Sequence, residues 1–300
     1  MSAKLKLSQV ELLLVTMSFV WGFNFTVVKF ALTYFSPLGF NAVRFSIASI
    51  ILLGFLWLRE RSLKVRREDF KKFLLLAIVG NTLYQILFIN GIFRTTAGNS
   101  SLILATIPIF VSLFSSVLGV EKVGHRVWGS VFLSFLGISL IVLGSGKPLT
   151  LTEQSLIGDL LILSGTICWS ICTVLSKPLL KRYTPLKLVT LTVALGTPPL
   201  VFVSVPFIKT QVWNNVSAEG WLSLAYSAVL AIALGYAIWY TGVSRIGSAR
   251  TAIYEYLVTV IAVAAAWIFL SETMSPIQII GAILVFAGLY LSKSEELRHV

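Results

Sequence analysis

Ten separate stretches of this 300-residue chain run for about twenty residues with few charges, the length a helix needs to cross a bilayer core roughly 30 Å thick. They lie near residues 10–33, 37–58, 72–93, 97–119, 127–144, 156–177, 186–207, 219–242, 248–270 and 274–292. Backbone groups in hydrocarbon find no water, so such a chain is confined to α-helices or a closed barrel. The alternation that a barrel strand needs is absent, which disfavours the barrel. At 57% hydrophobic and 12% charged residues the composition also lies outside the range of a soluble globule. The predicted fold class is an all-α membrane protein with ten transmembrane helices.

The net charge of +12 resembles that of a nucleic-acid-binding protein until the basic residues are placed on the connections. Of 24 Lys and Arg, nineteen fall on segments sharing a side with the N-terminus. The opposite connections hold only Arg94, Lys147 and Lys209, while Lys29 and Arg44 lie within predicted spans. Cytoplasmic loops collect Lys and Arg, so both termini are predicted in the cytoplasm of a multi-pass cell-membrane protein. The basic balance then needs no nucleic-acid partner, and the basic stretch from Arg59 to Lys72 is an orientation signal that also suits anionic lipid. The N-terminus shows no cleavable leader pattern. Cys168 and Cys172, one helical turn apart with no further ligands beside them, read as small buried apolar residues, and no metal or cofactor is expected.

The chain also repeats itself. "WGFNFTVVK" at 21–29 returns as "WSICTVLSK" at 169–177, each followed eight residues on by Pro-Leu, at Pro37-Leu38 and Pro185-Leu186. At that offset of 148 residues Glu11 also meets Asp159, and at 151 Glu121 meets Glu272 and Gly137 meets Gly288. The predicted repeats are residues 1–147 and 148–300. Each holds five spans, an odd number, so the second enters the membrane from the opposite face and the repeat is inverted. Trp21 and Trp169 then lie about 15 Å along their helices, near mid-depth from opposite sides. Tryptophan belongs to the interfacial belts, so these two are expected to pack against other helices or to line a cavity. Lys29 and Lys177 stand near the far ends of their helices, where a lysine can reach the headgroups.

The tails of the two halves, "LGVEKVGHRVWGSVFLSFLGI" at 118–138 and "FLSETMSPIQIIGAILVFAGL" at 269–289, follow halves that each open with an acid and a mid-helix Trp. Together with "NAVRFSIAS" at 41–49 and "LILATIPIF" at 102–110, they resemble the EamA-type transporters of the drug/metabolite transporter superfamily. The resemblance covers essentially the whole chain. It implies ten helices around a central cavity, alternating access, and transport of small organic solutes, often outward. Among the family's members the chain is most similar to exporters of amino acids and related metabolites. One departure stands out: Pro108 in the fourth span is matched by Thr259 in the ninth, so the two halves are not read as bending alike.

An ionisable group inside a membrane costs about 2.5–3.5 kcal/mol on insertion scales, which makes each one a functional candidate. Glu255, in "TAIYEYLVT", lies about 10 Å deep in the ninth span, and Arg44 lies at a similar depth from the other face. In separate leaflets they are not expected to form a salt bridge. A carboxylate removed from water favours its protonated form, so Glu255 could couple protons, hold a substrate ammonium, or bond a neighbouring helix. Arg44 and Lys29 are further gating candidates, with Arg44 also able to meet a substrate carboxylate. Glu121 and Glu272, near helix ends, read as architectural.

Neutral polar and aromatic residues complete the candidate binding set. Asn24 follows Trp21 at helical spacing; Asn81, Tyr84 and Gln85 share or flank one helix face; Asn99 opens the fourth span. Tyr236, Trp239 and Tyr240 recur at helical spacings in the eighth span, and Tyr254 precedes Glu255. Rings with a few polar tips suit large neutral or zwitterionic solutes such as aromatic amino acids, or drugs and other metabolites. They suit phosphorylated solutes poorly, because those need clustered cations. Gly22, Gly80, Gly235 and Pro198-Pro199 offer places where helices can bend. A membrane-embedded enzyme is the rival class, but His125 and His299 lie outside the spans and Glu255 has no second acid near it in sequence, so no catalytic set is visible.

Overall fold

The computed structural model describes residues 7–94, 100, 103–144, 153–269 and 275–294, and these form helices joined by short connections, with no strand among them. Helix α1 is Leu7–Ala31, α2 Pro37–Glu60 and α3 Arg67–Ala77, which runs through a π-helical segment, Ile78–Leu83, into α4, Tyr84–Arg94. Then come α5, Ile107–Val117; α6, His125–Gly144; α7, Glu153–Leu180; and α8, Pro185–Lys209. A short 3₁₀ turn, Trp213–Asn215, precedes α9, Ala218–Tyr226, which passes through a second π-helical segment, Ser227–Leu234, into α10, Gly235–Ile246. The chain ends with α11, Ser248–Phe269, and α12, Pro276–Ser294.

The repeated Pro-Leu pairs are helix starts. Pro37 and Pro185 each occupy the first turn, where a missing N–H costs nothing, behind Ser36 and Thr184 in extended conformation. Thr184 caps its helix by accepting the Lys187 N–H at 3.1 Å. Pro108 likewise sits in the first turn of α5, after a turn at 105–106, while Thr259 lies inside the continuous α11. The predicted fourth span is thus interrupted where the predicted ninth is not. Pro198 and Pro199 leave α8 continuous.

Among the described residues, six helical stretches are long and apolar enough to cross a membrane: 9–31, 37–60, 67–94, 156–180, 185–209 and 218–246. Shorter apolar helices cover 107–117, 125–141 and 276–291. Large apolar side chains face outward, Ile50 at 71% exposure and Phe202 at 79% among them, while Arg44, Asn41 and Gln85 are buried inside. Apolar outside and polar inside is the distribution a lipid-solvated bundle requires.

Packing follows the repeat. Corresponding helices meet each other, α2 on α8 and α6 on α12; α4 packs on α7 as α10 packs on α1, and α5 packs on α7 as α11 packs on α1. Small residues set these distances. A Cβ on Gly137 would lie 2.5 Å from the Gly281 carbonyl oxygen, so the α6 and α12 backbones touch there. One end of the bundle gathers Glu60, Glu68, Asp69, Glu121, Lys177, Arg182 and Lys187, which form ion pairs there. At the other end Gln211 bridges the α1–α2 connection: it accepts the Ser36 N–H at 2.9 Å and donates to the Tyr34 carbonyl at 2.8 Å.

Candidate functional site

A cavity of about 650 Å³, counted with its open mouth, lies between α1, α2, α4, α5, α7, α10 and α11. The two repeated tryptophans meet at it. Trp21 and Trp169 pack edge to face with centroids 6.2 Å apart, and Trp169 also lies 5.0 Å from Tyr236 and 5.1 Å from Tyr84. Trp239 packs at 5.6 Å from both tryptophans, and its indole N–H donates to Thr173 Oγ1 at 3.3 Å. Offset and edge contacts of this kind add about 0.5–1.5 kcal/mol per pair beyond burial. The cluster is therefore a rigid apolar wall.

The π-helical segment before α10 holds one of these rings. In an α-turn the Gly235 N–H would bond the Ala231 carbonyl, but it bonds Leu230 and Ile232 instead. The Ala231 carbonyl accepts the Trp21 indole N–H at 2.8 Å. Gly235 is needed for that approach, because a Cβ there would collide with the indole nitrogen. The first half has its own π-helical segment at the matching place, where the Tyr84 N–H bonds Val79. No indole bonds a carbonyl there: the Trp169 N–H makes no hydrogen bond with a described residue.

Arg44, 2% exposed, anchors the polar side. Its guanidinium donates to Ser227 Oγ at 2.8 Å and to Gln85 Oε1 at 2.9 Å, and it lies 5.1 Å from the Phe40 ring centroid. Gln85 Nε2 then donates to the Tyr236 hydroxyl at 2.9 Å, and the Gln85 carbonyl accepts from Asn41 Nδ2 at 3.0 Å. The amide orientation is forced, since arginine is donor only. Desolvating a cation costs several kcal/mol, and charge-assisted hydrogen bonds offset part of it. Glu255 lines the same cavity, and its carboxylate makes no hydrogen bond or ion pair with another described residue. Sequence depth alone separates Glu255 from Arg44, but one cavity reaches both.

Among the predicted site residues, Trp21, Asn24, Arg44, Tyr84, Gln85, Trp169, Tyr236 and Glu255 line the cavity. Asn24 Oδ1 is buried without a hydrogen-bond partner among the described residues. Trp239 and Tyr240 are buried in the aromatic and apolar layer behind it, and Tyr254 is half-buried against the same core. Asn81 is not on the wall: it is buried against Gly196 of α8, with Nδ2 only 3.5 Å from the Leu76 carbonyl. The reason is local. Residues 81 and 85 share a face on an unbroken α-helix, but the wider π-helical turn at 78–83 rotates one away from the other. Lys29 is exposed and does not line the cavity. Asn99 lies outside the described residues.

Phe25 and Phe88 line the cavity without having been singled out, although each stands four residues beyond a recognised ring, at Trp21 and Tyr84, a spacing that signals a shared face. Ser227 and Asn41 carried no such signal. Among the described residues no group of three or more His, Cys, Asp or Glu could hold a metal ion.

The profile of the EamA-like transporter family matches the chain twice, over residues 9–143 and 156–293. A Bacillus subtilis (strain 168) protein described as the "Uncharacterized transporter YyaM" is 28% identical over 281 residues, covering 93% of this chain and 92% of its own. A Streptantibioticus cattleyicolor protein described as "Probable terminal-alkyne amino-acid exporter" is 27% identical, covering 96% and 94%. One solved crystal structure superposes with a TM-score of 0.80 over 97% of this chain and 98% of that one, at 15% identity, a likeness of fold alone.

Proposed function

Because the chain belongs to the EamA-like transporter family, we propose that it is a secondary transporter exporting large neutral or aromatic amino acids and related metabolites by alternating access. The observation that carries this reading is the meeting of Trp21 and Trp169, the same residue of each repeat, at one cavity with Tyr84 and Tyr236. Aromatic walls supply apolar contact, while Glu255 offers a carboxylate to an ammonium group and Asn24 an amide oxygen. The relative described as an amino-acid exporter supports the substrate class.

The architecture we infer is ten spans in two inverted repeats, 1–147 and 148–300, with both termini cytoplasmic. Support comes from the double match of the family profile and from helix contacts that exchange between the halves. The two π-helical segments at matching places support it too. An inverted pair lets one site face two ways.

Counterflow of labelled Phe, Trp, Leu, Thr, Lys and Glu in proteoliposomes, with and without a pH gradient, tests the substrate class. Phe, Trp and Leu are expected to exchange, and Glu is not. If none moves, the amino-acid reading fails and drugs or other metabolites, particularly amphipathic cations that Glu255 could receive, become the substrates to test. Glu255→Gln is expected to abolish any stimulation by the proton gradient while leaving exchange at equal pH measurable. Unchanged proton-driven transport would remove Glu255 from coupling.

A further inference from the structure

The lysine that closes the repeated motif in the second half has a use that the cavity does not explain. Lys177 Nζ donates to the Val243 carbonyl of α10 at 2.7 Å and lies 3.4 Å from Glu121 Oε1. Glu121, in the connection between α5 and α6, accepts the Ser248 N–H at 2.9 and 3.0 Å through its two oxygens. It therefore caps α11 with a full negative charge at the helix's positive end. Gly247 makes the approach possible twice over: its φ of +95° suits glycine, and a Cβ there would lie 3.2 Å from both carboxylate oxygens.

Glu121 from the first half holds α11 and Lys177 of α7, and Lys177 in turn holds α10, so the pair ties together three elements of the second half. Each of those elements carries cavity residues further along: Trp169 on α7, Tyr236 on α10 and Glu255 on α11. Between the latch and the cavity the space is filled by Leu14, Met17, Trp239 and Val243, all 0% exposed. Leu14 stands seven residues before Trp21, and Val243 seven after Tyr236, about 10 Å toward this end.

We propose that Glu121 and Lys177 form the latch that keeps the cavity shut at the N-terminal face, positioning the start of α11 against α7 and α10. Release of the Glu121 carboxylate from Ser248 and Lys177 is the local step that lets that face open. Glu272, which matches Glu121 in the second half, lies outside the described residues.

The latch rests on the alternating-access reading above, but its test needs no substrate, so either can fail without the other. Hydrogen exchange is measured on the full chain in liposomes, comparing residues 243–250 at the latch with residues 30–38 and 205–212 at the opposite end. Glu121→Gln is expected to speed exchange at 243–250 about tenfold, the scale on which losing a charged cap moves a two-state equilibrium. Exchange at 30–38 and 205–212 is expected to slow in the same sample. Lys177→Gln, which keeps the cap, is expected to move both ends in the same directions by less, and it carries the test alone if Glu121→Gln does not fold. A merely structural role would speed exchange at both ends alike. That result, or no change at 243–250, overturns the latch.

Discussion

Gln85 illustrates how much one buried amide can hold. It accepts from Arg44 and donates to the Tyr236 hydroxyl, joining α2, α4 and α10 at the cavity wall. Gln85→Leu would leave a guanidinium N–H and a phenol without partners in a buried place, at about 1–3 kcal/mol for each orphaned group. A clear fall in the thermal unfolding temperature in detergent is therefore expected. Gln85→Glu keeps an acceptor for Arg44 and for the phenolic O–H, so it is expected to unfold near the wild-type temperature. Equal behaviour of the two variants would mean that the network adds nothing to stability. Asn24, Tyr84 and Gln85 were legible from the sequence because polar groups in apolar spans are conspicuous. Ser227 was not, since a serine in a membrane helix most often bonds its own helix, and only the fold brings it within 2.8 Å of Arg44.

At the scale of elements, the helices meet where side chains are missing. Gly137 and Gly281 bring α6 and α12 into backbone contact, whereas a Cβ on Gly129 of the same helix would meet only Leu291 Cδ2 at 3.5 Å. Gly137→Val is expected to force the pair apart and cost about 1–3 kcal/mol, while Gly129→Ala stays within about 0.5 kcal/mol of wild type. Unfolding in detergent checks both. Because alanine favours a helix over glycine, a loss at Gly129 as large as at Gly137 would show that the close approach to Gly281 does not set the effect. The π-helical segments belong to this scale as well. They free a carbonyl for Trp21 and turn Asn81 away from the cavity, and no residue between 78 and 83 or between 227 and 234 announces a wider turn.

For the whole molecule, inversion makes a prediction about sidedness. Lys64 and Lys209 are both exposed, one after α2 and the other at the end of α8. In a background with Cys168 and Cys172 replaced by serine, Lys64→Cys is expected to react with an impermeant thiol reagent only in inside-out vesicles. Lys209→Cys is expected to react only in intact cells. Labelling of both from one side would overturn the inverted arrangement and the cytoplasmic termini together.

Much of this protein was determined by local sequence alone. Span positions follow from runs of apolar residues, helix starts from Pro37 and Pro185, and the duplication from Trp, Lys and Pro-Leu recurring 148 residues apart. Each of these depends on the order of neighbours along the chain, and so could be read before folding. The tertiary structure alone decided which faces meet. It brought Glu255 and Arg44 to one cavity, sent Asn81 to the α8 contact, and joined Glu121 to Lys177 and Ser248. These outcomes depend on the rotation of each helix about its axis. A single wide turn changes that rotation by a large fraction of a circle while leaving the hydropathy of the segment as it was.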